Sequence, residues 1–132
     1  PTLPELSSAL IAVLEGPERL MPFQDSGGVW TEGRGHTGKD VVPRVAISHE
    51  ESVAFFAADQ SHLLEMVANQ PLYTAAAFVS FGYNCGAGAL HAVLVGRDRI
   101  DNPRHTTDRR GIVQNGLISR RRMEKLMIDS GV

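Results

Sequence analysis

Glu15, Asp25 and Thr31 stand in one short stretch, EGPERLMPFQDSGGVWTEGRGHT, running from Glu15 to Thr37. Cleaving a glycosidic bond takes a proton for the departing oxygen on one side of the sugar, and negative charge or an activated water on the other. Two carboxyl groups in unlike surroundings are the minimal equipment. Glu15 lies just before a helix-stopping Gly16-Pro17, where helix carbonyls turn their negative ends toward it and weaken its preference for ionisation. Apolar neighbours that strip water from it would favour the protonated acid further. Asp25 falls in an open glycine turn, where a carboxylate should stay ionised. Thr31, six residues on, could hold a water jointly with it. Spacing alone does not settle the chemistry, because fifteen acids make many pairs and perturbed carboxyls also serve structure.

Helices must frame this strip. Ser7 or Ser8 can cap a short helix with Leu10, Ile11, Val13 and Leu14 as its buried stripe, leaving Glu15 in the last turn. From Met21 to Thr37, Phe23, Val29, Trp30 and Thr31 favour strands, and Asp25-Ser26-Gly27-Gly28 is a strong turn. The resulting twisted hairpin, with a further piece through Gly33 to Gly35, is too small to stand alone. Ser48-His49-Glu50-Glu51 reads as a capping box. Val53, Phe56, Ala57, Leu63, Leu64 and Val67 then follow at helical spacing. The run LYTAAAFVSFGY predicts a helix buried all round, broken at Asn84 to Gly88 and resumed over Ala89 to Val95. Residues 96–115 are polar and interrupted, and predict a loop or short helices. A terminal helix follows, with Leu117, Ile118, Met123, Leu126 and Met127 inward and Arg120, Arg121, Arg122 and Lys125 on the wetter side. The pattern is one α+β domain over residues 1–132, mostly helical, with a small antiparallel β subregion near the N-terminus.

The 132 residues suffice to bury a single core, and 42% hydrophobic with 21% charged residues fits a globular chain. No apolar run approaches a membrane span, so stable membrane insertion is not expected. A leader removed before Pro1 stays open. Cys85 alone excludes an internal disulfide framework and a multi-cysteine metal site. His36, His49 and Asp40 lack tight metal-ligand spacing, and neither metal nor cofactor is expected. The net charge of −2 hides an asymmetry. Residues 1–96 hold four basic against ten acidic side chains, a balance of −6, whereas residues 97–132 hold nine against five, a balance of +4. Such a basic end can steer an anionic polymer. No helix-turn-helix, zinc or RNA-binding motif accompanies it, so nucleic acid is not the expected partner.

The chain resembles the phage-type lysozymes, the group of T4 lysozyme and the lambdoid endolysins. The resemblance rests on Glu15-Gly16, Asp25, Gly28-Val29-Trp30-Thr31 and Gly33-Arg34-Gly35-His36-Thr37. A second block runs from Ser80 through Phe81, Tyr83, Asn84 and Gly86 to Gly88, and a third from Gly116-Leu117 through Arg120-Arg121 to Glu124. The three blocks stand in the family's order. The resemblance implies a lysozyme-like fold, with a β-containing lobe over about 16–48 and a helical lobe over about 49–132 packed with helix 5–15. It implies a monomeric endolysin of phage origin, made in the host cytoplasm and acting on peptidoglycan glycan strands in the periplasm. The bond cut would be the β-1,4 link between N-acetylmuramic acid and N-acetylglucosamine, with inversion and carboxyls about 6.5–9.5 Å apart.

By this resemblance Glu15 is the general acid, Asp25 the carboxylate that activates water, and Thr31 its water-positioning partner. Gly35, His36, Trp30, Tyr83 and Asn84 form the expected substrate-binding set, with His36 steadying the β subregion rather than acting as base. Trp30 could equally cover the hairpin's hydrophobic seam, and Asn84 could equally cap backbone. Cys85 reads as a small buried hydrophobe.

Three departures from the family pattern matter. Nine residues separate Glu15 from Asp25, where the pattern has about eight, so Pro17, Glu18 or Pro22 must accommodate one more. Glu18 is then an alternative acid. Glu32 stands where an apolar residue is usual, and strand alternation from Thr31 would turn it outward. The region from Leu90 to Gly116 is short, and a helix there is expected to be missing or reshaped. A lytic transglycosylase acting on the same bond, or a peptidoglycan-binding protein that has lost catalysis, remains open.

Overall fold

Thr2, rather than Ser7 or Ser8, starts the first helix. The computed structural model describes residues 1–132 and runs α1 over Leu3–Glu15, with Thr2 and Glu5 bonding each other's backbone amides. With the cap one turn further out, Ser7 falls inside the helix, where it is fully buried and donates to Gln60 at 2.8 Å. Ile11 is buried, but Val13 is 81% exposed, so the apolar stripe is narrower than its spacing predicts. Gly16 takes φ +79°, the left-handed conformation that ends the helix immediately after Glu15.

Strands β1 (Arg19–Gln24), β2 (Trp30–Gly33) and β3 (His36–Thr37) form an antiparallel sheet in the order β1-β2-β3. Phe23 pairs with Thr31 and Gln24 with Trp30, so the Asp25–Gly28 turn closes the hairpin. Between the pairs Arg19–Gly33 and Phe23–Thr31, β1 sets three residues against one. That bulge spans Leu20–Pro22 and bends the strand where Pro22 has no amide to offer the ladder.

Helix α2 (His49–Met66) opens with the capping box of Ser48 and Glu51. Its buried face is Ser52, Gln60 and Leu63, while Val53 faces solvent. The seam toward α1 is therefore partly polar, closed by the Ser7–Gln60 bond. Helix α3 (Leu72–Cys85) is buried without interruption from Thr74 to Gly82 and packs against α1, α2, α4 and α5. A Cβ at Gly82 would fall 2.8 Å from Leu63 and 2.9 Å from Leu90, so this glycine sets how closely the three helices approach. After Gly86, φ +95°, α4 covers Ala87–Leu94. Ile11, Leu63, Val67, Phe78, Phe81 and Leu90 belong to the resulting core.

Residues 96–114 form no α-helix. A 3-10 turn at Pro103–Thr106 and a Thr107–Val113 bridge are held by a polar hub. Arg104, Asn102, the Arg99 amide and His105 converge on the Asp98 carboxyl and hold it well below the usual carboxylate range. His105 meets the Phe81 ring edge-on at 4.9 Å, tying the hub to the core. Helix α5 (Asn115–Asp129) closes the chain and corrects the expected face. Arg120 and Arg121 are buried and Leu126 is exposed, because a buried Glu124 draws both guanidiniums inward. No helix is long and apolar enough to cross a membrane.

Candidate active site

The Gly16 stop places Glu15 at the mouth of a hollow of about 290 Å³. Asp25, Thr31, Arg34, Gly35, Tyr83 and Asn84 line the same hollow, so the acid at the helix end and the acid in the hairpin turn share one cavity. Trp30 and His36 do not line it. Trp30 is a half-buried member of β2. His36 is buried behind the sheet, stacked on Phe55 at 4.1 Å, with its ring nitrogens bonded to Asp59 at 2.8 Å and Asp40 at 2.9 Å. Burial works against a charged His36, but the two carboxylates outweigh it and raise its pKa above 6.5. Of the expected substrate-binding set, Gly35, Tyr83 and Asn84 line this hollow.

Glu15 is not surrounded by apolar groups alone. Its Oε1 accepts from Arg120 Nη1 at 2.7 Å. Arg120 also donates to the Ser80 carbonyl at 3.0 Å and lies 3.4 Å from Glu124. Glu124 is fully buried, and Arg121 and Ser80 bond it too. Burial pushes the Glu124 carboxyl upward, against the pull of Arg121, Ser80 and Arg120. The other Glu15 oxygen faces Gly35: a Cβ there would sit 3.3 Å from Oε2 and 3.6 Å from the Tyr83 ring, at φ +90°. Glycine keeps that side of the acid open.

Asp25 and Thr31 are linked through Val29. Asp25 Oδ1 accepts from the amides of Gly27 at 2.8 Å and Val29 at 2.9 Å, while Thr31 Oγ1 donates to the Val29 carbonyl at 2.9 Å. The hydroxyl proton of Thr31 is thereby spent on backbone, and its lone pairs remain as acceptors toward the hollow. Tyr83 donates to the Arg34 carbonyl, and Arg34 donates to the Gly16 carbonyl at 3.1 Å. These bonds tie α3, the sheet and the end of α1 together around Glu15. Asn84 makes no bond to backbone, so its amide is not a helix cap.

Glu18 lies elsewhere. The His49 imidazole lies 2.9 Å from its carboxyl, which is held below the usual range, and Glu18 does not line the hollow. Glu32 also stays out of the hollow, as alternation requires, but it does not reach solvent. It is 1% exposed, neither carboxyl oxygen has a hydrogen-bond partner, and burial raises its pKa. Glu32 turns away from the hollow as expected, but α2 rather than solvent lies on that face of β2. Cys85 is half-buried, with its thiol pushed up by burial and its sulfur accepting from Arg121 at 2.7 Å.

The residues that sequence reasoning missed are Arg120 and Arg34. The signal for Arg120 was present in the third block, but its helix gave no sign of which face turns inward.

The phage lysozyme family profile matches residues 13–124. The SAR-endolysin of Bacteriophage PS119 is 31% identical over 125 residues, covering 85% of this chain and 74% of that protein. Among solved structures, the muramidase domain of SpmX from Asticaccaulis excentricus superposes with a TM-score of 0.69 at 27% identity, covering 92% of this chain and 93% of that one. The active form of P1 phage endolysin Lyz gives 0.71 at 20% identity, over 96% and 84%. The last shows likeness of fold.

Proposed function

This chain belongs to the phage lysozyme family, and on that premise we propose that it is an endolysin that hydrolyses the β-1,4 bond between N-acetylmuramic acid and N-acetylglucosamine in periplasmic peptidoglycan. The observation that carries this reading is the shared hollow, which Glu15, Asp25 and Thr31 all line. Glu15 is the general acid. Arg120 occupies Oε1, which leaves Oε2, beside Gly35, as the oxygen that can pass a proton to the leaving group. Asp25 has Oδ1 fixed by two amides and directs Oδ2 at a water. Thr31 accepts the water's second proton as a hydrogen bond, which orients a lone pair toward the anomeric carbon. Departure of the protonated oxygen and attack of this water from the opposite face would invert the centre, a course that requires carboxyls about 6.5–9.5 Å apart.

Asn84 offers an acceptor and a donor to an N-acetyl group, and Tyr83 and Gly35 form the wall behind it. Trp30 and His36 support the sheet. The working division is a β-containing lobe over 16–48 against a helical lobe over 49–132 with helix 5–15, in a monomer.

Digestion of purified sacculi followed by mass spectrometry tests the reaction. Reducing muramic ends are expected. Anhydro-muramic ends would assign a transglycosylase, and intact glycan a binding protein. Glu15→Gln is expected to bind sacculi without cutting them, and cutting by that variant would overturn the assignment of the acid.

A further inference from the structure

Between the sheet and α2, Val42, Pro43, Arg44, Val45 and Ala46 are all exposed, and every one but Arg44 is apolar. Both ends of this loop are held. Val41 is buried, and Ile47 is half-buried and donates its amide to the Leu20 carbonyl at 2.8 Å. The Val45 amide donates to the Val42 carbonyl at 3.2 Å, closing a turn with Pro43 second and Arg44 third. Arg44 takes φ +67° and is the only residue other than glycine in the left-handed region. Proline followed by a left-handed residue is the pattern of a type II turn, whose third position favours glycine. An arginine there bears strain that a glycine would not, and supplies a cation that a glycine could not.

The Ile47 bond sets this turn beside the bulge of β1, where Leu20 and Met21 are exposed. Met21, Val42 and Val45 are each more than half exposed. Single exposed aliphatic residues are ordinary, but several on neighbouring backbone mark a surface that something covers. Lys39 and Arg44 add charge, each exposed and without a carboxylate partner. The acids nearest along the chain are already engaged, Asp40 with His36 and Glu18 with His49. The patch is separate from the groove: Arg19 and Phe23 of β1 line the hollow of Glu15, whereas Leu20, Met21 and residues 38–47 do not. Aliphatic side chains beside unpaired cations, with no aromatic anchor and no free acid, suit a fluid anionic lipid surface. A protein partner would call for aromatic side chains and hydrogen-bonding groups instead.

We propose that the Leu20–Met21 bulge and the Val42–Ala46 turn form a peripheral attachment site for an anionic phospholipid bilayer, a surface that a periplasmic peptidoglycan hydrolase would meet at the cell membrane. Lys39 and Arg44 contact the lipid phosphates, and the aliphatic side chains enter the headgroup region. Cosedimentation of the whole protein with vesicles tests the site, at low ionic strength where screening is weak. Mixed phosphatidylglycerol–phosphatidylcholine vesicles are compared with phosphatidylcholine alone. Binding to the anionic vesicles is expected to be tighter by about tenfold or more. Arg44→Gly, which relieves the turn, should weaken it about fivefold while melting no lower than the parent. Val45→Ser should weaken it too, and Arg122→Gln, on the exposed face of α5, should leave it unchanged. Equal binding to both vesicles, no binding to either, or unchanged binding by Arg44→Gly would overturn the site. So would a loss confined to Arg122→Gln, which would move the contact to α5. Self-association without vesicle binding, abolished by Arg44→Gly, would also overturn it and assign the patch to a second copy. The vesicles hold no glycan, and release of reducing ends from sacculi by Arg44→Gly is scored separately and should match the parent. A failed lipid site and a failed muramidase reading therefore give different results.

Discussion

Behind Glu15, the seam between α3 and α5 buries Glu124 with Arg120, Arg121 and Ser80 bonded around it. Behind Thr31, the seam between the sheet and α2 buries Glu32 with no hydrogen-bond donor on either oxygen. Burial raises the pKa of both. The first seam answers that cost with two guanidiniums and extends the same network to Glu15. The second leaves the cost standing under the strand that carries Thr31. The comparison teaches that the two halves of the candidate site rest on different supports: a compensated ionic network behind Glu15, and a less stable seam behind Thr31.

The largest effect should come from breaking the compensated seam. Glu124→Ala leaves two buried arginines without their carboxylate, and urea denaturation should show a loss of about 3–5 kcal/mol. Arg120→Met keeps bulk but releases Glu15, and kcat on sacculi should fall about 100-fold with a smaller change in binding, the cost of a misplaced acid. A matching loss in Arg121→Met would show that the network acts as one block rather than through the Glu15 contact.

The sheet seam should respond in the opposite sense. Glu32→Gln removes a buried charge that has no partner, and should raise stability at pH 7 by about 1 kcal/mol. The sign follows from linkage. Folded Glu32 holds its proton above the unfolded value of 4.5, so the native state binds more protons and stability falls as pH rises through that window. Glu32→Gln should flatten this slope in thermal melts taken from pH 4.5 upward, and an unchanged slope would sink the account. The smallest effect belongs to His36, whose folded pKa is raised above 6.5. Its contribution is fully present below pH 6.5 and is lost as pH rises through the folded value, so the His36→Gln protein should lose less stability over that range.

Much of this protein was legible along the chain. The Ser48–Glu51 cap, the all-round burial of α3, the Gly16 stop and the Asp25–Gly28 turn are encoded by neighbours a few residues apart, because helix and turn bonds join such neighbours. Glu15, Asp25 and Thr31 stand in order within one short strip, and the three residues line one hollow. What the tertiary structure alone decided is where charge goes. Arg120 reaches Glu15 across 105 positions, Glu32 is covered by α2 instead of water, and β1 bulges at Leu20–Pro22 before Asp25. Periodicity counts apolar positions and cannot register that a buried carboxylate will pull arginines inward, since that balance of desolvation against pairing exists only once α3 and α5 are packed together.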